Sequence, residues 1–219
     1  MTTQLEGRTE ATVIKLDSEF SSAIEALVGH IETNTDAEVV VVANMRSDPW
    51  HDLKLRAAFI AMTAALCFVV WSPWWIDVRW LPLELLAIGW MTGWFVETSP
   101  RILRLLVGRT RVRDRVEEAA AAAFHTEAVH STRGRTGVLV FLSCLEKQVV
   151  VIADAGVEAK VPGGDLHTIR WGSNSDIHRV DSLSSFLRGM EALSPILSTH
   201  IPPLEDNPDE LGNAPRIRK

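Results

Sequence analysis

The sequence predicts an α/β protein, one domain whose chain is interrupted by a two-helix transmembrane hairpin. Three observations lead there. GVLVFLSC (residues 137–144) and KQVVVIAD (residues 147–154) are apolar, strand-like runs joined by a tight turn at Glu146–Lys147. A third such run, AEVVVVAN (residues 37–44), lies far upstream. Between this upstream run and residue 137 stand two long stretches almost free of charge, apolar on every face, which a soluble core rarely needs.

Residues 1–16 are polar, lack a secretory apolar segment and are expected to form a flexible N-terminus. Residues 17–33 place Phe20, Ile24, Leu27, Val28 and Ile31 at helical spacing, with Asp17 or Ser18 available as N-cap and Asn34 as the stop. The β-branched run 37–44 then has the signature of a strand buried on both faces. Residues 17–45 thus supply a helix and a strand, the first part of a domain.

Residues 57–75 carry no charge and span roughly 28 Å as a helix, close to the hydrocarbon thickness of a bilayer. Residues 80–96 carry only Glu84, which Pro82 in the first helical turn places near the outer end. Four residues, IDVR, separate the two stretches, so 57–96 reads as a transmembrane hairpin. Seven of the eight Trp lie between Trp50 and Trp94, at the expected ends of the spans, as in an aromatic belt. A buried core hairpin and a re-entrant hairpin are the competing readings. Arg46, Lys54 and Arg56 precede the hairpin, and Arg101, Arg104, Arg109, Arg111, Arg113 and Arg115 follow it, with only Arg79 between. Positive charge favours the cytoplasmic side, so both termini are expected there.

A hairpin returns the chain to the side it left. Sequence before and after it can therefore build one domain, which the lone strand 37–44 requires. The second part, residues 99–200, holds a helix over 99–130 bent near Gly108, the two strands, a loop at VPGGDLHTI and an amphipathic helix over 176–199. Residues 201–219 are a Pro-rich, charged tail expected at the surface or disordered. The chain of 219 residues has a net charge of −6, which speaks against nucleic acid as a partner. Its two cysteines, Cys67 and Cys144, provide neither a disulfide framework nor zinc spacing.

The segment RTGVLVFLSCLEKQVVVIADAGV resembles the central signature of the TPM domain family, in which a strand of the kind D-N-G-V-L-L-L-V, a turn and a second strand end near a Gly. AEVVVVAN takes the place of that family's first strand. IPPLEDNPDELGNAP is similar to the ending of a bacterial membrane-protein subgroup with an inserted transmembrane hairpin. The resemblance runs from about residue 17 to 215 and implies an α/β fold with a mixed β-sheet sandwiched by helices, interrupted by the two-helix transmembrane hairpin. For activity it implies three possibilities: acid phosphatase, calcium binding, or accessory work on membrane complexes.

This chain departs from the pattern at the position that matters for metal. Arg135 and Thr136 stand where the family often has Asp-Asn, and an Arg cannot ligate calcium, which takes oxygen donors. Asp154, closing the second strand, matches a position of polar site residues, and Glu158 follows four residues later. Two carboxylates at a sheet end can hold a cation or do acid–base work, and they equally suit a solvated turn. Arg135, Asp154 and Glu158 are the candidate ligand-binding residues; no catalytic or metal-ligating set and no cofactor is expected. His125 and His130, five apart on one expected helix, diverge by about 140°. Ser143 and Cys144 lack a nucleophile elbow. Arg101, Arg104, Arg109 and Arg111 are candidates for contact with anionic lipid headgroups. The expectation is a membrane-anchored, non-enzymatic binding or accessory module at the cytoplasmic face, meeting the bilayer and a membrane-protein partner. A membrane-anchored phosphatase is the alternative.

Overall fold

Helix α1, Ser18–Glu32, starts where the Asp17 carboxylate accepts a hydrogen bond from the Phe20 N–H at 3.0 Å. Phe20, Ile24, Val28 and Ile31 recur every three or four residues and are buried. In the computed structural model, residues 14–47, 51–72, 79–99, 108–162, 164–172, 177–204 and 210–218 are described. Most of the expected flexible N-terminus, the hairpin loop, Arg101 and Arg104 lie outside them. The chain divides into two compact units, Met1–Ser47 with Arg113–Lys219, and Asp48–Val112.

The larger unit is built on a four-stranded mixed sheet. Strand β1, Glu38–Asn44, pairs in parallel with β2, Gly137–Ser143, from Glu38 opposite Gly137 to Asn44 opposite Ser143. Strand β3, Gln148–Ala153, returns antiparallel to β2 after a turn in which Lys147 adopts φ 54°. Arg216–Arg218 adds a short parallel strand beside β1, giving the order β3, β2, β1 and this C-terminal strand. That strand corrects the expectation that the tail is only surface or disordered. Its three residues are too few to show periodicity, and Arg216 and Arg218 are fixed by ion pairs to Glu127.

Side chains alternate across the sheet. Val39, Val41, Val138, Val140 and Leu142 join one buried cluster with α1 and with the helix Leu183–His200, which presents Phe186, Met190, Leu193 and Leu197. Phe186 stacks between Phe20, at 6.3 Å, and Trp171, at 5.5 Å. Burial of each such side chain stabilises by about 1.5–3 kcal/mol. Gly189 admits the indole, since a Cβ there would lie 2.3 Å from the Trp171 ring. The opposite parity, Val40, Val42, Leu139 and Phe141, is also fully buried. On that side Gly137 lies against Val129. The helix Arg109–Thr126 buries Val116, Ala120, Ala123 and Phe124.

Two helix boundaries differ from expectation. The helix expected to run to residue 130 ends at Thr126, where the chain turns through Ala128 at φ 54° into a short 3-10 turn at Val129–Ser131. The last helix begins at Leu183 rather than near 176. Ser182 and Ser185 form a reciprocal capping box there, a stronger start than the apolar spacing upstream.

The smaller unit contains α2, His51–Trp71, and α3, Leu81–Thr98. Gly89 lies against Met62 and Ala58, near the middle of both helices, as in an antiparallel hairpin. Leu55, Phe59, Ile60, Phe68, Trp71 and Trp90 are among many exposed apolar side chains on the pair. Among the described residues, α2 is the one helix long and apolar enough to cross a membrane by length and composition; the apolar part of α3, Leu81–Val96, is shorter.

Candidate functional site

A tightly bonded polar corner lies where β3 ends and β2 begins. Asp154 follows β3, and its N–H donates to the Gly137 carbonyl at 2.9 Å, which ties it to the first residue of β2. Its side chain caps the short helix Ala155–Glu158, accepting from the Ala155 N–H at 2.8 Å. The loop ahead of β2 folds against this corner. Arg135 sits at φ 54°, its N–H bonded to the Thr132 carbonyl and its own carbonyl to the Gly156 N–H. Gly156 is required by proximity: a Cβ there would stand 2.3 Å from the Gly134 oxygen and 2.6 Å from that of Arg135.

This packing brings two sequence candidates together. Arg135 donates from Nη2 to Asp154 Oδ1 at 2.8 Å and from Nε to Oδ2 at 3.2 Å. The Asp154 side chain is 4% exposed, the Arg135 side chain 60%. The Arg135 hydrogen bond holds the Asp154 carboxyl below its usual range, aided by the Ala155 N–H and by the charges of Arg135 and His130, while burial opposes them. The same pair raises the Arg135 guanidinium.

Glu158 does not join them. Its backbone N–H bonds the Asp154 carbonyl, but its side chain lines a separate groove with Val151, Ala153, Val161 and Leu166. Among the described residues no three His, Cys, Asp or Glu side chains gather as a metal site. The expected divergence of His125 and His130 is corrected: their rings lie 5.4 Å apart. The helical angle does not apply, because the helix stops at Thr126 and the following turn carries His130 back.

A second polar cluster went unread in the sequence. The Ser143 hydroxyl donates to the Glu146 carboxylate, the Ser47 hydroxyl donates to Ser143 Oγ at 2.8 Å, and the Ser47 N–H donates to Glu146 at 3.4 Å. Ser143 and Glu146 are buried, and Cys144 beside them has its thiol pushed up to about 11 by burial and by Glu146. The cluster ties the exit of β1 to the β2–β3 turn. Small polar residues at or just past the ends of two apolar strands, Ser143 and Ser47, were the available signal. Of the arginines expected at lipid headgroups, Arg111 bonds Asp52 at the start of α2, and the Arg109 side chain is outside the described atoms.

No family model matches the chain. No curated protein matches it either. Among solved structures, it is similar to the NMR structure of the BA42 protein from the psychrophilic bacterium Bizionia argentinensis, with a TM-score of 0.55 at 16% identity, over 95% of this chain and 100% of that one. At that identity the likeness concerns the fold, and the fold shared is the mixed α/β arrangement described above.

Proposed function

We propose that this chain is a membrane-anchored binding module of the TPM-like kind, working without catalysis at the cytoplasmic face. The observation that carries the reading is the occupancy of Asp154. Both of its oxygens are already engaged, by Arg135 and by the Ala155 N–H, so the carboxylate is neither a free base nor an open cation ligand. What the corner offers to solvent instead is the exposed side of a guanidinium, with His130 nearby. Such a surface suits an anionic group, a phosphate or a lipid headgroup, held by charge-assisted hydrogen bonds.

Membrane attachment is supported by the apolar side chains that α2 and α3 leave exposed. In this reading residues 57–75 and 80–96 enter the bilayer as a two-span hairpin. The sixteen residues Leu81–Val96 reach about 24 Å, short of a typical ~30 Å hydrocarbon core. Local thinning and the anchoring of Trp80, Trp90 and Trp94 would accommodate that mismatch.

Two assays test the proposal on the full chain. Membranes containing it are extracted with alkaline carbonate, and the protein is expected in the pellet; release to the supernatant overturns the anchor. Detergent-purified protein is then given p-nitrophenyl phosphate. Turnover that disappears in Asp154→Ala would reinstate the phosphatase alternative.

A further inference from the structure

We infer that the free half of strand β3 is a docking edge for an extended segment of a partner protein, one with alternating apolar residues and a basic side chain facing Glu158. The inference rests on the domain being a binding module, but not on its membrane attachment or on Arg135.

β3 is the edge of the sheet. The Asp154 N–H points inward to Gly137, whereas the Val149 N–H points outward to the His178 carbonyl at 2.7 Å. Direction alternates along a strand, so the main-chain groups of Val151 and Ala153 also point outward. Residues 178–180 cover the first half of the edge: Val180 N–H bonds the Lys147 carbonyl, and Arg179 bridges Gln148. Among the described residues nothing pairs with the outward groups of Val151 and Ala153, one donor and one acceptor each.

An unpaired edge is a template for another strand. Here it opens on a groove of about 750 Å³, lined by Val151, Ala153, Val161, Pro162 and Leu166. Main-chain pairing would supply affinity, and the apolar groove would take alternate side chains of the incoming segment. Glu158 is the charged residue of the lining and is exposed, with no hydrogen bond to another side chain among the described residues. Its carboxylate favours Lys or Arg in the incoming strand and selects against an acidic one.

The test uses full-length protein in detergent and the peptide acetyl-Thr-Val-Thr-Lys-Thr-Val-Thr-amide, one face of which carries two valines with a lysine between them, as a groove lined by both apolar residues and Glu158 requires. Only every second N–H of a strand faces its neighbour. Two isomers, N-methylated on one or the other alternate set, should therefore differ in affinity by roughly tenfold or more. Glu158→Lys should weaken the lysine peptide and strengthen its Glu-substituted counterpart. Ala153→Pro should abolish binding while leaving the bonds to β2 intact, since its N–H points outward. Equal affinity of the two isomers, no binding at millimolar peptide, or indifference to Glu158→Lys overturns the inference. A detergent-purified dimer that Ala153→Pro dissociates also overturns it, because the occupant is then a second copy. The carbonate and phosphatase assays are unaffected by any of these results, so the two proposals fail separately.

Discussion

Arg135 and Asp154 form a forked ion pair across nineteen residues of sequence, with Nη2 on Oδ1 at 2.8 Å and Nε on Oδ2 at 3.2 Å. One partner is buried and the other largely exposed, so the pair closes the corner of the sheet from outside. The consequence is a pH dependence of defined sign. The native Asp154 carboxyl lies below its unfolded value of about 3.9. The stability this contributes is present above that value and is lost as pH falls through the lower native one. Arg135→Gln should therefore cost roughly a few degrees of melting temperature at pH 7 and progressively less as pH falls below the unfolded carboxyl value. Thermal melts followed by circular dichroism between pH 7 and pH 2 check this; a deficit that stays constant over that range would mean that Arg135 acts by packing.

Gly156 tests the backbone side of the same corner. A Cβ there meets two carbonyl oxygens, and neither belongs to a side chain that can swing away. Gly156→Ala should destabilise by about 1–3 kcal/mol in urea unfolding. Gly108→Ala, where a Cβ meets nothing within 4 Å, is the control and should be close to neutral.

The cysteines report on the two units. Cys144 is buried, with its thiol pushed up to about 11, so it should resist alkylation at pH 7.5 until the fold opens. Cys67 is exposed on α2, yet in a membrane it should be shielded from a charged maleimide and reached by an apolar one. For the proposed topology, Val78→Cys should label from outside intact cells and Glu10→Cys only after permeabilisation. The reverse pattern inverts the hairpin.

The strands were legible because residues buried on both faces leave unbroken apolar runs: 37–44, 137–144 and 147–154 match β1, β2 and β3 to within a residue at each end. Asp17 was readable as a cap from its place ahead of an apolar repeat. The C-terminal strand was not, because three residues carry no period and its partner lies in β1, far off in sequence. Arg135 and Asp154 were each visible as candidates, but their bond was not. It depends on a left-handed residue and a glycine contact that bring two loops together. Glu158 looked equivalent to Asp154 by spacing, yet a single helical turn directs it into another groove.

The last prediction concerns calcium. A site for this hard cation needs several oxygen ligands around one point. At this corner Asp154 is the near carboxylate, and a guanidinium that never loses its charge is already on both of its oxygens. A divalent ion would have to displace Arg135 while being repelled by it. Glu158 faces elsewhere and adds nothing to the site. Calorimetry on the natural protein should therefore detect no calcium binding up to about 1 mM, the weak end for protein calcium sites. The informative variant is Arg135→Asp with Thr136→Asn. The left-handed backbone at 135 accepts Asp at least as well as Arg. The Thr136 N–H donates to Thr132 Oγ1 and the Thr136 carbonyl accepts from the Glu38 N–H; both use main-chain atoms of residue 136, so they survive the exchange. The variant removes the competing cation and adds an anionic oxygen donor and a neutral one beside Asp154, and should show weak calcium binding that Asp154→Ala abolishes. Micromolar binding by the unmodified protein would mean that the ion pair opens readily, and the reading of Asp154 as a closed carboxylate would fall.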